Sequence, residues 1–393
     1  MAKLHEADWT QREDLVPLVA ALGADNMRWV GGAVRDTLLI LPVIDVDAAT
    51  TLHPEEVMTR LKEAGIKSIP TGLDHGTITA VRPDGNVEIT TLRKDVATDG
   101  RRATVAFADN WQDDAARRDF TINALYAHPE TLEISDYFGG LDDLRARRVR
   151  FIGDARQRIR EDHLRILRYY RFQARFGSAL DDEAEDACAE LASTLKGLSR
   201  ERVGKELLNL VDTKEAPGTL TRMLARGVLP VVLPEVDQAN IDHFGRLGAE
   251  EERQDFAPSP IRAMAALLPP DPRSREQVAA RLRLSNAQRK HLVRLAELDQ
   301  YSIKSSAEAR ALAYREGKLL ALDLMLIHGA DTAPLIDWEI PEFPLKGGEI
   351  VQRGVGAGPE VARILQAVEA RWIEEGFPGA DRVQELLEGE LAS

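Results

Sequence analysis

Up to about Tyr137 the apolar positions come in short runs separated by turn residues; beyond about Asp142 they recur at helical spacing almost throughout. In the first part the pattern predicts strands at Met27–Val30, Val43–Asp47, Thr77–Val81 and Asn86–Leu92. The last two flank Arg82-Pro83-Asp84-Gly85, whose Pro and Asp-Gly suit a hairpin turn. Helices are predicted over Arg12–Leu22, Ala33–Leu41, Pro54–Ala64 and Thr121–Ala127. Between Arg93 and Ala116 lies a polar stretch containing Asp99-Gly100-Arg101-Arg102, a length usual for functional loops. Pro and Gly punctuation then divides the helical remainder, and the expected fold class is α+β, a head with a mixed or antiparallel sheet on an all-α remainder.

Two segments within this pattern carry chemistry. Trp29-Val30-Gly31-Gly32-Ala33-Val34-Arg35-Asp36 has the form of a strand end, a Gly-Gly turn and a helix start, which presents backbone N–H groups to a phosphate. Nine residues on, Asp45-Val46-Asp47 closes the apolar run from Pro42; on a strand, the period of two places both carboxylates on one face. Like charges that close repel unless a cation lies between them. Two oxygen-ligated Mg²⁺ ions roughly 3.5–4 Å apart are the usual clamp for phosphoryl transfer. A phosphate cradle beside a carboxylate pair points to nucleotidyl transfer.

Composition narrows the setting. Hydrophobic content of 44% and charged content of 30% over 393 residues suit a globular chain of several structural units. No apolar run has the roughly 20 residues needed to span a bilayer, and the N-terminal segment lacks a signal-peptide core. The single cysteine, Cys188, excludes an internal disulfide and a thiolate metal cluster, so the cytoplasm is expected. A net charge of −14 is unpromising for a nucleic-acid partner, but binding is local. From Arg145 to Arg175 the chain carries a run of arginines opposed within it only by Asp154, Glu161 and Asp162, enough to attract a polyanion to one place.

Two further segments extend the constellation. In Arg117-Arg118-Asp119 ahead of Phe120-Thr121-Ile122-Asn123, the paired arginines offer planar donors for triphosphate or ribose oxygens, while Asp119 also suits a helix cap. In Glu161-Asp162-His163-Leu164-Arg165 a single helix would put Asp162 and Arg165 one turn apart, with Arg168 a turn further and Arg171 drifting off that face. Asp162 and Arg165 together offer acceptors and donors suited to the Watson–Crick edge of a base. An ion pair on a solvated helix would look the same locally.

Taken in order, these segments resemble the class II tRNA nucleotidyltransferases, or CCA-adding enzymes, and their relatives the bacterial poly(A) polymerases. Gly31-Gly32-Ala33-Val34-Arg35-Asp36, the Asp45/Asp47 pair, Arg117-Arg118-Asp119, Gly139-Gly140-Leu141-Asp142-Asp143-Leu144, Glu161-Asp162-His163-Leu164-Arg165 and Leu198-Ser199-Arg200-Glu201-Arg202 carry the resemblance. It implies a catalytic head over 1–140, a base-templating neck over 141–200, a body over 201–330 and a tRNA-facing tail over 331–393. It also implies metal ligation by Asp45 and Asp47, and nucleotide contacts from Gly32, Arg35 and Arg118. Asp162 and Arg165 would select CTP and then ATP, assisted by Arg168 and Arg171. Glu88 stands where relatives carry a third acidic residue, as support rather than a ligand.

The implied activity is template-independent addition of CCA to the tRNA 3′ end, with Mg²⁺ and with no membrane or obligate protein partner. The nearest alternative is poly(A) addition, whose enzymes usually carry a strongly basic C-terminal extension; this chain ends in an acidic stretch, Val383 to Leu391. The segment around Asp99-Gly100-Arg101-Arg102 resembles the flexible loop of CCA-adding enzymes, expected to be shortened in those that stop after CC. An RNA-binding protein that merely kept the fold would have no use for paired carboxylates, which repel without a metal. A phosphohydrolase of the His-Asp type is excluded, because none of the eight histidines is followed by Asp.

Overall fold

In a computed structural model, which describes residues 2–98, 103–108, 110–177 and 179–392, the chain divides into two compact units, Met1–Pro234 and Glu235–Ser393. The segment Asp99-Gly100-Arg101-Arg102 lies outside the described residues.

The first unit opens with α1 (Val16–Leu22), β1 (Met27–Val30), α2 (Gly32–Leu38), β2 (Val46–Thr50), α3 (Pro54–Glu63), β3 (Ser68–Gly72), β4 (Thr77–Ala80), β5 (Val87–Thr91), β6 (Arg93–Thr98), β7 (Ala103–Phe107), α4 (Trp111–Ala116), β8 (Leu125–Ala127) and β9 (Ile134–Asp136). Seven strands form one sheet in the order β3-β4-β5-β2-β1-β8-β9, with β2 and β5 parallel and the other neighbours antiparallel; β6 and β7 pair separately. The predicted hairpin is β4–β5, with Gly85 in its turn at φ 121. The unit continues with α5 (Gly140–Arg145), α6 (Ala155–Glu161), α7 (Arg165–Phe176), α8 (Asp182–Glu190), α9 (Arg200–Val211), α10 (Ala216–Ala225) and α11 (Leu229–Val232).

Several sequence boundaries need correction. The strand expected at Val43–Asp47 begins at Val46 and runs to Thr50. Pro42 and the exposed Ile44 precede it, whereas the buried sheet positions are Val46, Ala48, Ala49 and Thr50. Two alanines have little intrinsic strand preference, and only pairing with β1 on one side and β5 on the other makes them a strand. The helix expected at Thr121–Ala127 is one 3₁₀ turn, Thr121–Asn123, followed by β8, because β1 needs a partner on its free edge: Trp29 pairs Ala127 and Val30 pairs Tyr126. The helix expected at Ala33–Leu41 stops at Leu38, where Ile40 turns left-handed at φ 56 and the Leu41 N–H bonds back to the Asp36 carbonyl. The predicted Arg12–Leu22 helix is a 3₁₀ turn, Glu13–Leu15, leading into α1.

An aromatic seam fixes α7 against the sheet domain. Phe120 lies 4.9 Å from Phe151 and 5.3 Å from Phe172, and Phe151 stacks on Tyr169 at 5.8 Å. Gly140 starts α5 directly under the 3₁₀ turn, where a Cβ would collide with the Thr121 carbonyl. Buried Asp143, one turn on, then accepts from Thr121 Oγ1 at 2.7 Å, Arg148 Nε at 2.8 Å and Arg150 Nε at 2.9 Å.

The second unit is helical among its described residues: α12 (Gln238–Arg253), α13 (Pro260–Leu267), α14 (Pro272–Arg281), α15 (Asn286–Glu297), α16 (Ser306–Glu316), α17 (Lys318–Ile327), α18 (Ala333–Ile336), α19 (Gly347–Gln352), α20 (Pro359–Glu374) and α21 (Ala380–Leu391). Trp372 centres one core with Ile364, Val368, Val383 and Leu387. No helix among the described residues is long and apolar enough to cross a membrane.

Candidate active site

The site starts from strand register. In the parallel β2–β5 pair, Asp47 stands directly beside Glu88; in the antiparallel β1–β2 pair it faces Val30, the residue before the Gly-Gly turn. Asp45 lies one residue ahead of β2 and is exposed, while Asp47 is half-buried. Burial raises the Asp47 carboxyl to about 6, the Glu88 and Asp45 charges add to this, and the Arg118 guanidinium partly offsets it. Glu88 and Asp45 therefore press their charge on Asp47 against the Arg118 guanidinium, and a divalent cation is a group that would relieve it. Among the described residues no three or more such ligands are gathered closely enough to hold an ion alone.

The phosphate side is built around Gly31 and Arg118. Gly31 has φ 68 and ψ −123, a conformation open to glycine, and its missing Cβ would sit 3.6 Å from the Arg118 guanidinium. Arg118 is held from behind. Its Nε donates to Tyr126 Oη at 3.0 Å, its other nitrogen pairs with Asp114 at 3.3 Å, and Tyr126 Oη itself donates to Asp114 at 2.7 Å. Burial opposes the Asp114 charge, but Arg118 and Arg117 outweigh it and bring the carboxyl down to about 2. Asp114 and Tyr126 escaped sequence reasoning, because they meet Arg118 only once α4 and β8 are folded.

Other expected residues turn inward. Arg35 is buried: its guanidinium donates to Asp36 at 2.8 Å and Asn123 at 2.6 Å, and lies over Phe176 and Phe172. A Cβ on Gly32 would come within 3.9 Å of it, so Arg35 supports the turn from below. Asp119 spends both oxygens, one on the Phe120 N–H and Asn123 Nδ2, the other on Arg168 at 2.8 Å and 2.6 Å. Burial opposes its charge too, and Arg168 holds its carboxyl well below the usual range. Arg171 pairs with Glu206 at 2.6 Å.

Asp162 and Arg165 do not share one helix. Asp162 caps the end of α6 in an extended conformation and Arg165 opens α7, so they stand on either side of a helix junction. Asp162 accepts from the Leu164 N–H at 3.1 Å and from Arg202 at 2.7 Å. Arg165 bonds Glu161 at 2.6 Å and the carbonyls of Arg158 and Arg117 at 2.8 Å and 3.1 Å. The simple ion pair of a solvated helix is absent between them.

The arginine run is also not one bare stripe. Acids outside the run, all but Asp143 distant in sequence, neutralise much of it: Asp143 takes Arg148 and Arg150, Glu190 takes Arg156, Asp119 takes Arg168, Glu206 takes Arg171 and Asp36 takes Arg175. What remains is a cleft of about 1240 Å³ that begins at Ile44 and Asp45 and is walled by Arg147, Arg171, Arg175, Asn209 near the end of α9 and Thr213 just beyond it.

Comparison with known proteins agrees with this arrangement. Residues 27–150 match the poly A polymerase head domain, and residues 178–240 match a domain described as the probable RNA- and SrmB-binding site of polymerase A. The mitochondrial CCA tRNA nucleotidyltransferase 1 of Mus musculus is 34% identical, over 93% of this chain and 87% of that protein. The CCA-adding enzyme of Streptococcus gordonii is 31% identical, over 93% of this chain and 94% of its own. A solved structure of the Bacillus stearothermophilus CCA-adding enzyme, in complex with CTP, superposes with a TM-score of 0.77 at 26% identity, covering 97% of this chain and 99% of that one. A glycine turn, an acidic strand end and an arginine-walled cleft thus occur on a fold and sequence shared along nearly the whole length, and the chain belongs to the CCA tRNA nucleotidyltransferase family.

Proposed function

We propose that this protein adds C, C and A in turn to the 3′ end of tRNA, using CTP and ATP and releasing pyrophosphate. The observation that carries the reading is Asp47 beside Glu88 and Arg118, with Asp45 opening onto the arginine-walled cleft. Carboxylates that invite a divalent cation and an arginine beside a glycine turn that invites phosphates are the two halves of nucleotidyl transfer.

Asp45 and Asp47 would hold the metal, with Glu88 tuning the charge of Asp47. The nucleotidyltransferase fold uses a divalent metal, which, as Mg²⁺ held by these carboxylates, would supply activation of the attacking hydroxyl and neutralisation of triphosphate charge. Arg118, fixed by Asp114 and Tyr126, orients the triphosphate, and the backbone at Gly31 and Gly32 lets it approach closely. Arg35 and Asp119 serve the nucleotide at one remove, by holding the turn and Arg168. Asp162 and Arg165 read the base from the helix junction, exchanging present contacts with Arg202 and backbone carbonyls for the base edge. Arg168 and Arg171 support that wall. Residues 1–140 act as head, 141–200 as neck, 201–330 as body and 331–393 as the part facing tRNA, in the cytoplasm.

The test is purified protein with tRNA lacking its 3′ CCA, given each nucleotide singly and in combination. CTP alone should extend the RNA by two residues, and CTP with ATP by three. A long run of A from ATP alone would replace this reading with poly(A) addition. No extension under any combination would remove the enzyme.

A further inference from the structure

Arg147 differs from its neighbours in three respects. Among the described residues it has no acidic partner, whereas Arg145, Arg148 and Arg150 are each paired. Its backbone is left-handed at φ 53, at the point where α5 ends: the Arg147 N–H bonds the Leu144 carbonyl and the Arg148 N–H bonds that of Asp143. Glycine takes this position without strain, and an arginine does not. Third, Arg147 lines the same cleft as Asp45. The other arginines of α7 in that cleft are tied down, Arg171 by Glu206 and Arg175 by Asp36. Arg147 is thus an exposed guanidinium placed there at the cost of strain, facing space that opens onto the carboxylates.

A second residue of the same cleft is also unexplained. Ile44 is 89% exposed, immediately precedes Asp45 and lines the same cleft. A large aliphatic side chain left in water next to a metal-type carboxylate invites an apolar face. An RNA end supplies both features together: a phosphodiester for a guanidinium, and a ribose and base face for an aliphatic chain.

We propose that Arg147 and Ile44 form a subsite for the acceptor RNA, with Arg147 taking a phosphodiester next to the 3′ end and Ile44 packing under the terminal nucleoside. The triphosphate is assigned to the cradle of Gly31 and Arg118, neither of which lines that cleft. The subsite positions the attacking strand and takes no part in bond making. It rests on the tRNA-extending reading above.

The experiment compares wild type with Arg147→Gly, Arg147→Lys and Ile44→Ala. Arg147→Gly relieves the strained backbone, so a folded protein is expected and thermal unfolding confirms it. Binding of tRNA lacking its CCA is measured directly across a salt series, alongside KM for that tRNA and for CTP. Arg147→Gly should weaken tRNA binding and raise its KM about tenfold, and should reduce the log–log salt slope by about 0.7, the value for one single-strand phosphate contact. KM for CTP should stay within twofold. Arg147→Lys should recover part of the loss, and Ile44→Ala should raise the tRNA KM several-fold with an unchanged salt slope. A raised CTP KM with unchanged tRNA binding would move Arg147 to the triphosphate and overturn the proposal, as would tRNA binding unaltered in Arg147→Gly. Wild-type protein that binds tRNA but extends it with no nucleotide would refute the functional reading, while the binding arm still decides the subsite.

Discussion

The acidic end of β2 and the arginines from α5 to α7 are both dense in one sign of charge, and folding treats them oppositely. Around the arginines it gathers acids from distant segments: Glu206 lies 35 residues beyond Arg171, and Asp119 lies 49 before Arg168. Around Asp47 it adds Glu88, with Arg118 the opposing cation among the described residues, and burial together with the acidic neighbours pushes the carboxyl up to about 6. Charge compensated inside the molecule builds a frame, whereas charge left uncompensated waits for a ligand. The second unit supplies a frame of the former kind: buried Arg262 is matched by Glu251 at 2.6 Å and Asp323 at 2.9 Å.

The largest effect should come from the uncompensated side. Asp45→Ala or Asp47→Ala is expected to lower nucleotide addition by at least about a thousandfold, the several kcal/mol a bound metal supplies to the transition state, with tRNA binding and circular dichroism nearly unchanged. Activity above a few per cent of wild type with Mg²⁺ would break the contrast. On the compensated side the loss should appear in stability. Asp119→Ala leaves Arg168 only the longer contact with Glu206 at 3.7 Å and should cost about 2–3 kcal/mol in urea unfolding, less than a fully buried pair because Arg168 is one-third exposed.

Acid should reach the frame by the same route. The Asp114 and Asp119 carboxyls are both held below their unfolded values, so their contribution is complete above about pH 5 and is lost as pH falls through the folded values. For Asp114, lowered from 3.8 to about 2, the loss is on the order of 2 kcal/mol. Urea midpoints measured from pH 6 to pH 2.5 should fall progressively in wild type, and the fall should be smaller in Asp114→Asn. Equal slopes in the two proteins would remove the buried carboxylate as the cause.

The helix junction sharpens the comparison most finely, because Arg165 belongs to the frame in this structure and to the ligand side in the proposal. If it reads a base, Arg165→Ala should lose roughly 1–3 kcal/mol of discrimination between CTP or ATP and GTP or UTP, with metal dependence intact. If it only ties α6 to α7, nucleotide choice should be unchanged and only the unfolding midpoint should move. Misincorporation in single-nucleotide extension assays separates the two.

Local chemistry made much of this molecule legible in advance. The Gly31-Gly32 turn, the β4–β5 hairpin and the change to a helical chain all follow from backbone permissiveness, turn residues and periodicity, which act over a few residues. Tertiary structure alone decided where β2 begins, since Ala48 and Ala49 become strand only by pairing on both sides. It alone turned Leu125–Ala127 from a helix-like segment into an edge partner of β1. It also separated Asp162 from Arg165 by a helix end and gave Arg118 its supports in Asp114 and Tyr126. The reason is common to all four: ion pairs and strand pairs reward contacts between residues far apart in sequence, and a local pattern carries no record of which partner the fold will bring.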